Sequence, residues 1–326
     1  MLISIAAVIV GLAILVWSAD KFVEGAASVA DHLGVSHLII GITIIGFGTS
    51  APEISVSVIA VLGDNPGLAI GNALGSNIAN IGLILGVTAI LINVPVSTGI
   101  FRREYPLLAI ATAVMAWCLY DLHLSMSDGI ILVGLLLVML AYLIKSHSGK
   151  AEGTPNEELD IDIDASLKPS AAWGWIVIGL ILLVASSKLL VWGATDIARE
   201  LGVSDLIIGL TIVALGTSLP ELAAAIASLK KQASDLAIGN VIGSNLFNSL
   251  AVVGIPAILM DFEIESDVIA RDLPVVILLT LLLFVFSRFP AGKPPQLTRI
   301  KGYVLLSSFV IYQLYLYYEV TGSRLT

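Results

Sequence analysis

Apolar residues run along this chain in stretches close to the ~20 residues needed to cross the hydrocarbon of a bilayer. Ten are read, at residues 2–31, 37–62, 68–93, 105–121, 127–145, 172–200, 205–229, 235–259, 270–287 and 301–318. Each is continuously apolar, unlike the short alternating segments of a membrane β-barrel. The pattern predicts an all-α polytopic membrane protein with about ten transmembrane helices. No basic residue precedes the first stretch, so it reads as a span rather than a signal peptide.

The polar interruptions repeat. Residues 33–53 read LGVSHLIIGITIIGFGTSAPE and residues 201–221 read LGVSDLIIGLTIVALGTSLPE, 15 identities in 21 positions. LAIGNALGSNIAN at 68–80 matches LAIGNVIGSNLFN at 236–248 in 9 of 13 positions, at the same offset of 168. A shared offset across an intervening loop marks a duplicated unit. The expected organisation is a first five-helix repeat over 1–145, an acidic linker over 146–171, and a second five-helix repeat over 172–326. Five spans per unit insert the second unit upside down. That is the inverted-repeat plan of secondary transporters, with binding at the midplane.

Composition agrees: 57% of the 326 residues are hydrophobic and 13% charged, against about 25% charged in soluble domains. With the N-terminus outside, inner segments carry 11 Lys/Arg and outer ones 3, leaving aside Lys21 and Lys188 within spans. The positive-inside rule then places both termini outside and the linker in the cytoplasm, in a cell (inner or plasma) membrane. Much of the net charge of −9 sits in EELDIDID (157–164) and MDFEIESD (260–267). The first reads as part of a solvated linker. Its alternating Asp residues suggest a calcium sensor, but lack the glycine and ligand spacing of an EF-hand loop. No basic cluster interleaved with aromatics points to nucleic acid. The one cysteine, Cys118, lies in an apolar run, and no cofactor or protein partner is implied.

Against this background GTSAPE (48–53) and GTSLPE (216–221) stand out. A proline lacks an N–H and crowds the carbonyl four residues back, so helix breaks are expected at Pro52 and Pro220, freeing carbonyls around Gly46–Gly48 and Ala214–Gly216. Glu53 shares a helix face with Thr49 and Ser50, as Glu221 does with Thr217 and Ser218. Asn72, Ser76 and Asn80 form one polar stripe; Asn240, Ser244 and Asn248 form its twin. Ser, Thr and Asn can simply bond helices together, and for Asn72 and Asn240 that reading stands beside ligation. For Glu53 and Glu221 it does not suffice, because a mid-membrane carboxylate costs ~2.5–3.5 kcal/mol even on the lenient scale. All these donors are hard oxygens, which suit Ca²⁺ or Na⁺ rather than Zn²⁺ or Cu⁺. Gly71, Gly75, Gly239 and Gly243 are expected to allow close helix approach.

These paired motifs resemble the two α-repeats of the calcium/cation antiporter superfamily, and most closely the prokaryotic sodium/calcium exchangers. The resemblance covers essentially the whole chain. It implies ten helices in inverted halves, helices 1 and 6 sliding against a core, and four adjoining ion sites. Its metal ligands fall on Thr49, Ser50, Glu53, Ser76 and Asn80, on Thr217, Ser218, Glu221, Ser244 and Asn248, and on the carbonyls of Gly46 and Ala214. Some members carry aspartate at one of the positions held here by Asn80 and Asn248; this chain has asparagine at both. The implied activity is exchange of Na⁺ for Ca²⁺ by alternating access. The alternative is a proton-coupled Ca²⁺ exchanger, since the glutamates are equally suited to carrying protons. An intramembrane enzyme lacks support, with neither HExxH nor GxSxG present. The inverted repeat favours alternating access over a passive channel.

Overall fold

The computed structural model describes residues 1–96, 103–147, 167–202, 214–288 and 296–322. Most of the linker, residues 148–166, and the start of the predicted seventh span, 203–213, lie outside them. Ten helices follow one another among the described residues. They are α1 (Leu2–Leu33), α2 (His37–Leu62), α3 (Pro66–Leu91), α4 (Glu104–Leu119), α5 (Met126–His147) and α6 (Pro169–Glu200). The remainder are α7 (Ala214–Thr217 and Leu219–Lys230), α8 (Ser234–Leu259), α9 (Ser266–Arg288) and α10 (Arg299–Gly322). Apart from α7, whose start lies outside the described residues, the helices as described match the predicted spans within a few residues.

Local chemistry sets the ends. α1 stops where Gly34 turns left-handed at φ 63°, a conformation open to glycine without a Cβ penalty. Ser36 caps α2 by accepting from the Ile39 N–H, and Asn65 caps α3 by accepting from Leu68 N–H, with Pro66 at the first turn. Seven of the helices are long and apolar enough to span a membrane. Their outward faces carry Leu2, Ile3, Ile9, Ile59, Ile130 and Leu137 in the open. That exposure is sensible in lipid and costly in water. α8 and α3 are the interior helices, with 89% and 72% of their apolar windows buried, against 33% for α1.

α1 and α6 form a long antiparallel crossing. A Cβ on Gly11 would meet Leu190 at 3.0 Å, and one on Gly179 would meet Phe22 at 2.9 Å. Likewise a Cβ on Gly25 would meet Ala172 O at 2.7 Å, and one on Gly193 would meet Ser4 O at 2.6 Å. Gly11 and Gly179, Phe22 and Leu190, Gly25 and Gly193, Ser4 and Ala172 are all pairs 168 apart, so the crossing is reciprocal about a pseudo-twofold. The pair shares an apolar cluster with α7, built on Leu15, Phe22, Val23, Ile176, Leu183 and Ala224, separate from the main core. α2 and α8, in contrast, run parallel: Gly41 lies beside Gly239, and Gly46 beside Gly243. Gly239 and Gly243 therefore meet their expectation. No described atom comes within 4 Å of a Cβ built on Gly71 or Gly75.

Two features depart from expectation. Four two-residue strands join the loops: Val94–Pro95 pairs with Gln296–Leu297, and His123–Leu124 with Phe262–Glu263, both antiparallel. Two residues are too short to leave a periodic signal in sequence. The second departure is at Pro52. α2 does not break there; its α-helix continues from Gly46 to Leu62, and the irregularity is a π turn just upstream at Gly41–Ile45. A Cβ on Gly46 would meet Gly243 at 3.0 Å, so close packing against α8 holds the helix across the proline. At Pro220 the expected break is present. Ser218 interrupts α7 at φ −92°, ψ 1°, and Pro220 sits in the first turn of the segment that follows.

Candidate cation-binding site

The two halves of the molecule meet at Glu53 and Glu221. Both side chains are 2% exposed, and the two carboxyl groups are near enough to act on each other. Neither Glu53 Oε2 nor Glu221 Oε2 has a hydrogen-bond partner. Two buried carboxylates this close cannot both be ionised unless a cation or proton lies between them.

Twin asparagines brace the helices behind the glutamates. Asn72 Nδ2 donates to Glu53 O (3.1 Å) and to Ser57 Oγ (2.9 Å), while Asn240 Nδ2 donates to Glu221 O (3.3 Å). Both amides therefore tie α3 to α2 and α8 to α7, so helix bonding, left open beside ligation, describes what they do here. Thr49 crosses between the halves. Its hydroxyl lies 3.1 Å from Ile45 O, 3.3 Å from Asn240 Oδ1 and 3.3 Å from Ser244 Oγ.

Around this pair lie the other predicted residues. Ser50, Ser76, Asn80, Ser218, Ser244 and Asn248 are all buried, and Thr217 is half-buried. Ser50 Oγ and Asn248 Oδ1 have no hydrogen-bond partner. For Asn80 the bare atom is Nδ2, and a 180° rotation of the amide puts its oxygen there. Gly46 opens the α-helical part of α2 just past the π turn, and Ala214 opens the described part of α7. A second π turn begins at Ala79 in α3 and a third at Asn248 in α8, each beside or at a predicted ligand. Such turns expose backbone carbonyls and often mark functional sites. Bare hard-oxygen acceptors without nitrogen or sulfur ligands are the chemistry of a Ca²⁺ or Na⁺ site. Among the described residues no group of three or more His, Cys, Asp or Glu forms, so the charge here is the two glutamates alone.

Two sets of residues escaped the sequence reading. Ser187 on α6 donates to Gly216 O at 2.7 Å. That carbonyl is the one Pro220, four residues on, cannot serve. No local pattern announces a partner from another helix. Asn77 and Asn245, also 168 apart, are buried at 2% and 1%. Asn77 Nδ2 donates to Ser249 Oγ at 3.0 Å, whereas Asn245 has neither amide atom partnered. Their place in the repeated GSN triplet was a visible signal.

The sequence pattern of the family described as "Sodium/calcium exchanger protein" matches residues 3–145 and 171–318. The putative antiporter CaxA of Alkalimonas amylolytica is 44% identical over 321 residues, covering 97% of this chain and 99% of that protein. The inner membrane protein YrbG of Escherichia coli (strain K12) is 39% identical over 323 residues, 98% of each. The sodium-calcium exchanger NCX_Mj, soaked with Na⁺ and Ca²⁺, superposes with a TM-score of 0.79 at 31% identity, over 94% of this chain and 96% of that one. Matches of this breadth, over a helical membrane fold with a buried pair of carboxylates, assign the chain to the sodium/calcium exchanger family, as a cation antiporter rather than an enzyme.

Proposed function

We propose that this protein exchanges Na⁺ for Ca²⁺ across the cell membrane, both ions competing for the Glu53–Glu221 site. The carrying observation is the burial of those two carboxyl groups, one from each half and each with an oxygen left bare. Two negative charges balance one Ca²⁺ or two Na⁺. Thr49, Ser50, Ser76, Asn80, Thr217, Ser218, Ser244 and Asn248, with the Gly46 and Ala214 carbonyls, complete the oxygen shell. Alternating access follows from two inverted five-helix halves, 1–145 and 172–326, joined by the cytoplasmic linker 146–171, with both termini outside. The reciprocal α1–α6 crossing supports that division. So do the strand pairings: each joins the loop after the third helix of one half to the loop after the fourth helix of the other. Within one half those loops lie at opposite ends of a helix, so pairing them requires inversion.

One observation also favours proton coupling: two buried, neighbouring carboxyl groups with bare oxygens accept a proton as well as a cation. ⁴⁵Ca²⁺ uptake into proteoliposomes with an imposed Na⁺ gradient at fixed, equal pH decides the coupling ion. Uptake that follows the Na⁺ gradient supports the proposal; uptake indifferent to Na⁺ but driven by a pH gradient replaces it with the proton-coupled reading.

A further inference from the structure

Outside the ion site, one ion pair joins the α1–α6 pair to the rest of the molecule at the α7–α8 turn. Lys231 Nζ lies 2.8 Å from the Asp20 carboxylate; the side chains are 17% and 47% exposed. Asp20 is on α1, and Lys231 closes α7. The neighbouring Lys21 is engaged by Glu24 at 2.7 Å.

The offset of 168 maps this pair onto the opposite end of the molecule. Asp20 corresponds to Lys188 on α6. Lys231 corresponds to Gly63, which ends α2 next to Asp64. The two turns are conformational twins. Gly63 and Lys231 end their helices at φ −90° and −85°, and Asp64 and Gln232 follow with φ 58° and 59°. Charge is therefore reversed between Asp20 and its twin Lys188, and the acid of the other turn, Asp64, lies one residue past the twin of Lys231. Because α2 and α8 run parallel, the α2–α3 and α7–α8 turns lie at opposite ends.

Only one of the two pairs is made. Lys188 and Asp64 are both exposed, and no ion pair joins them. Packing shows the same asymmetry, since α1 contacts the Leu219–Lys230 segment of α7 far more extensively than α6 contacts its twin, Gly46–Leu62 of α2. The Asp20–Lys231 end is the more closely packed of the two.

We propose that Asp20–Lys231 and Lys188–Asp64 are two latches made alternately, each holding shut the end of the exchanger at which it lies. The proposal rests on alternating access with α1 and α6 moving together, and it assigns charge outside the ion site to setting which side is open. In the conformation described here the first latch is closed; movement of α1 and α6 breaks it and carries Lys188 to Asp64. Neither pair touches the ions, so each acts on the balance of states and not on ligation. A partly exposed pair of this kind is expected to shift that balance about two- to fivefold.

The test is cross-linking within the full chain, which does not depend on the coupling ion. Asp64→Cys and Lys188→Cys are introduced together, with a protease site in the linker. A short bifunctional maleimide is applied in native membranes, and the yield is the full-length band that survives linker cleavage. Single-cysteine variants control for the buried native Cys118. A cross-link is expected, and adding Asp20→Asn should raise its yield about two- to fivefold by releasing the opposing latch. The swapped pair Asp20→Lys with Lys231→Asp should return the yield to its starting value, which separates the latch from a general loss of packing. Absence of the cross-link in all backgrounds, or a yield unmoved by Asp20→Asn, overturns the proposal. Loss of Na⁺-driven uptake with the cross-linking pattern intact would instead overturn the coupling reading and leave the latch standing.

Discussion

In the proposed site the charge comes from Glu53 and Glu221. Glu53→Gln and Glu221→Gln should each insert and fold, because neutralising a carboxylate lowers the cost of burial in the membrane. Glutamine keeps the shape and one oxygen, so a functional loss reports charge. At 4 Å and an effective dielectric near 20 a charge pair is worth ~4 kcal/mol. Each variant should therefore lose Ca²⁺ affinity on the order of 100-fold or more, to a similar extent in both. Ca²⁺ binding by calorimetry on monodisperse protein checks this, and near-normal affinity in either variant would sink the paired-carboxylate site. Asn248 gives the complementary prediction. Its Oδ1 is bare and buried, so Asn248→Asp adds a third negative charge at nearly constant shape. Ca²⁺ binding should persist while the Na⁺ or H⁺ dependence of transport changes. Unaltered ion dependence would remove Asn248 from the site.

At the scale of elements, the close approach of α2 to α8 is what holds α2 together across Pro52. A Cβ on Gly243 would sit 2.4 Å from Ile42 O, a backbone atom that can move only with its helix. Gly243→Ala should accordingly destabilise the protein by about 1–3 kcal/mol through overpacking. Gly174 on α6 has open space around its Cβ position, so Gly174→Ala should be neutral within about 1 kcal/mol. Thermal unfolding in detergent compares the two, and equal Tm values would show that the α2–α8 contact tolerates separation. The same contact explains why the proline signal was legible in one half and misread in the other. Pro220 coincides with an interruption at Ser218, and Ser187 of α6 satisfies the carbonyl set free. Ala19 occupies the twin position of Ser187 on α1, where no hydroxyl is available, and α2 stays continuous.

For the whole molecule, the proposed topology makes one accessible prediction. A cysteine placed by Glu157→Cys in the linker should be shielded from an impermeant maleimide in intact cells and react in inverted vesicles, as the 11-to-3 distribution of basic residues implies. Labelling in intact cells would turn the molecule over and exchange the sides assigned to its two ends. At this scale the α1–α6 pair meets α2, α7 and α8 through an apolar cluster distinct from the main core, so a shift of the pair leaves that core packed.

Much of this was written in local order along the chain. Long apolar runs can only be helices in lipid, where each backbone group must find its partner within its own segment. Two nearly identical segments at one offset mark a duplication. The glutamates were legible because a carboxylate in an apolar run has no cheap structural reason to be there. Tertiary structure decided what depends on contacts between distant segments. It brought Glu53 and Glu221 together from residues 168 apart, and set Asn72 and Asn240 to bracing helices. It also carried α2 through Pro52, gave Gly216 a partner from α6, and brought Asp20 to Lys231. Each of these outcomes is a competition between local preference and packing, and the winner is set by neighbours that sequence order does not name.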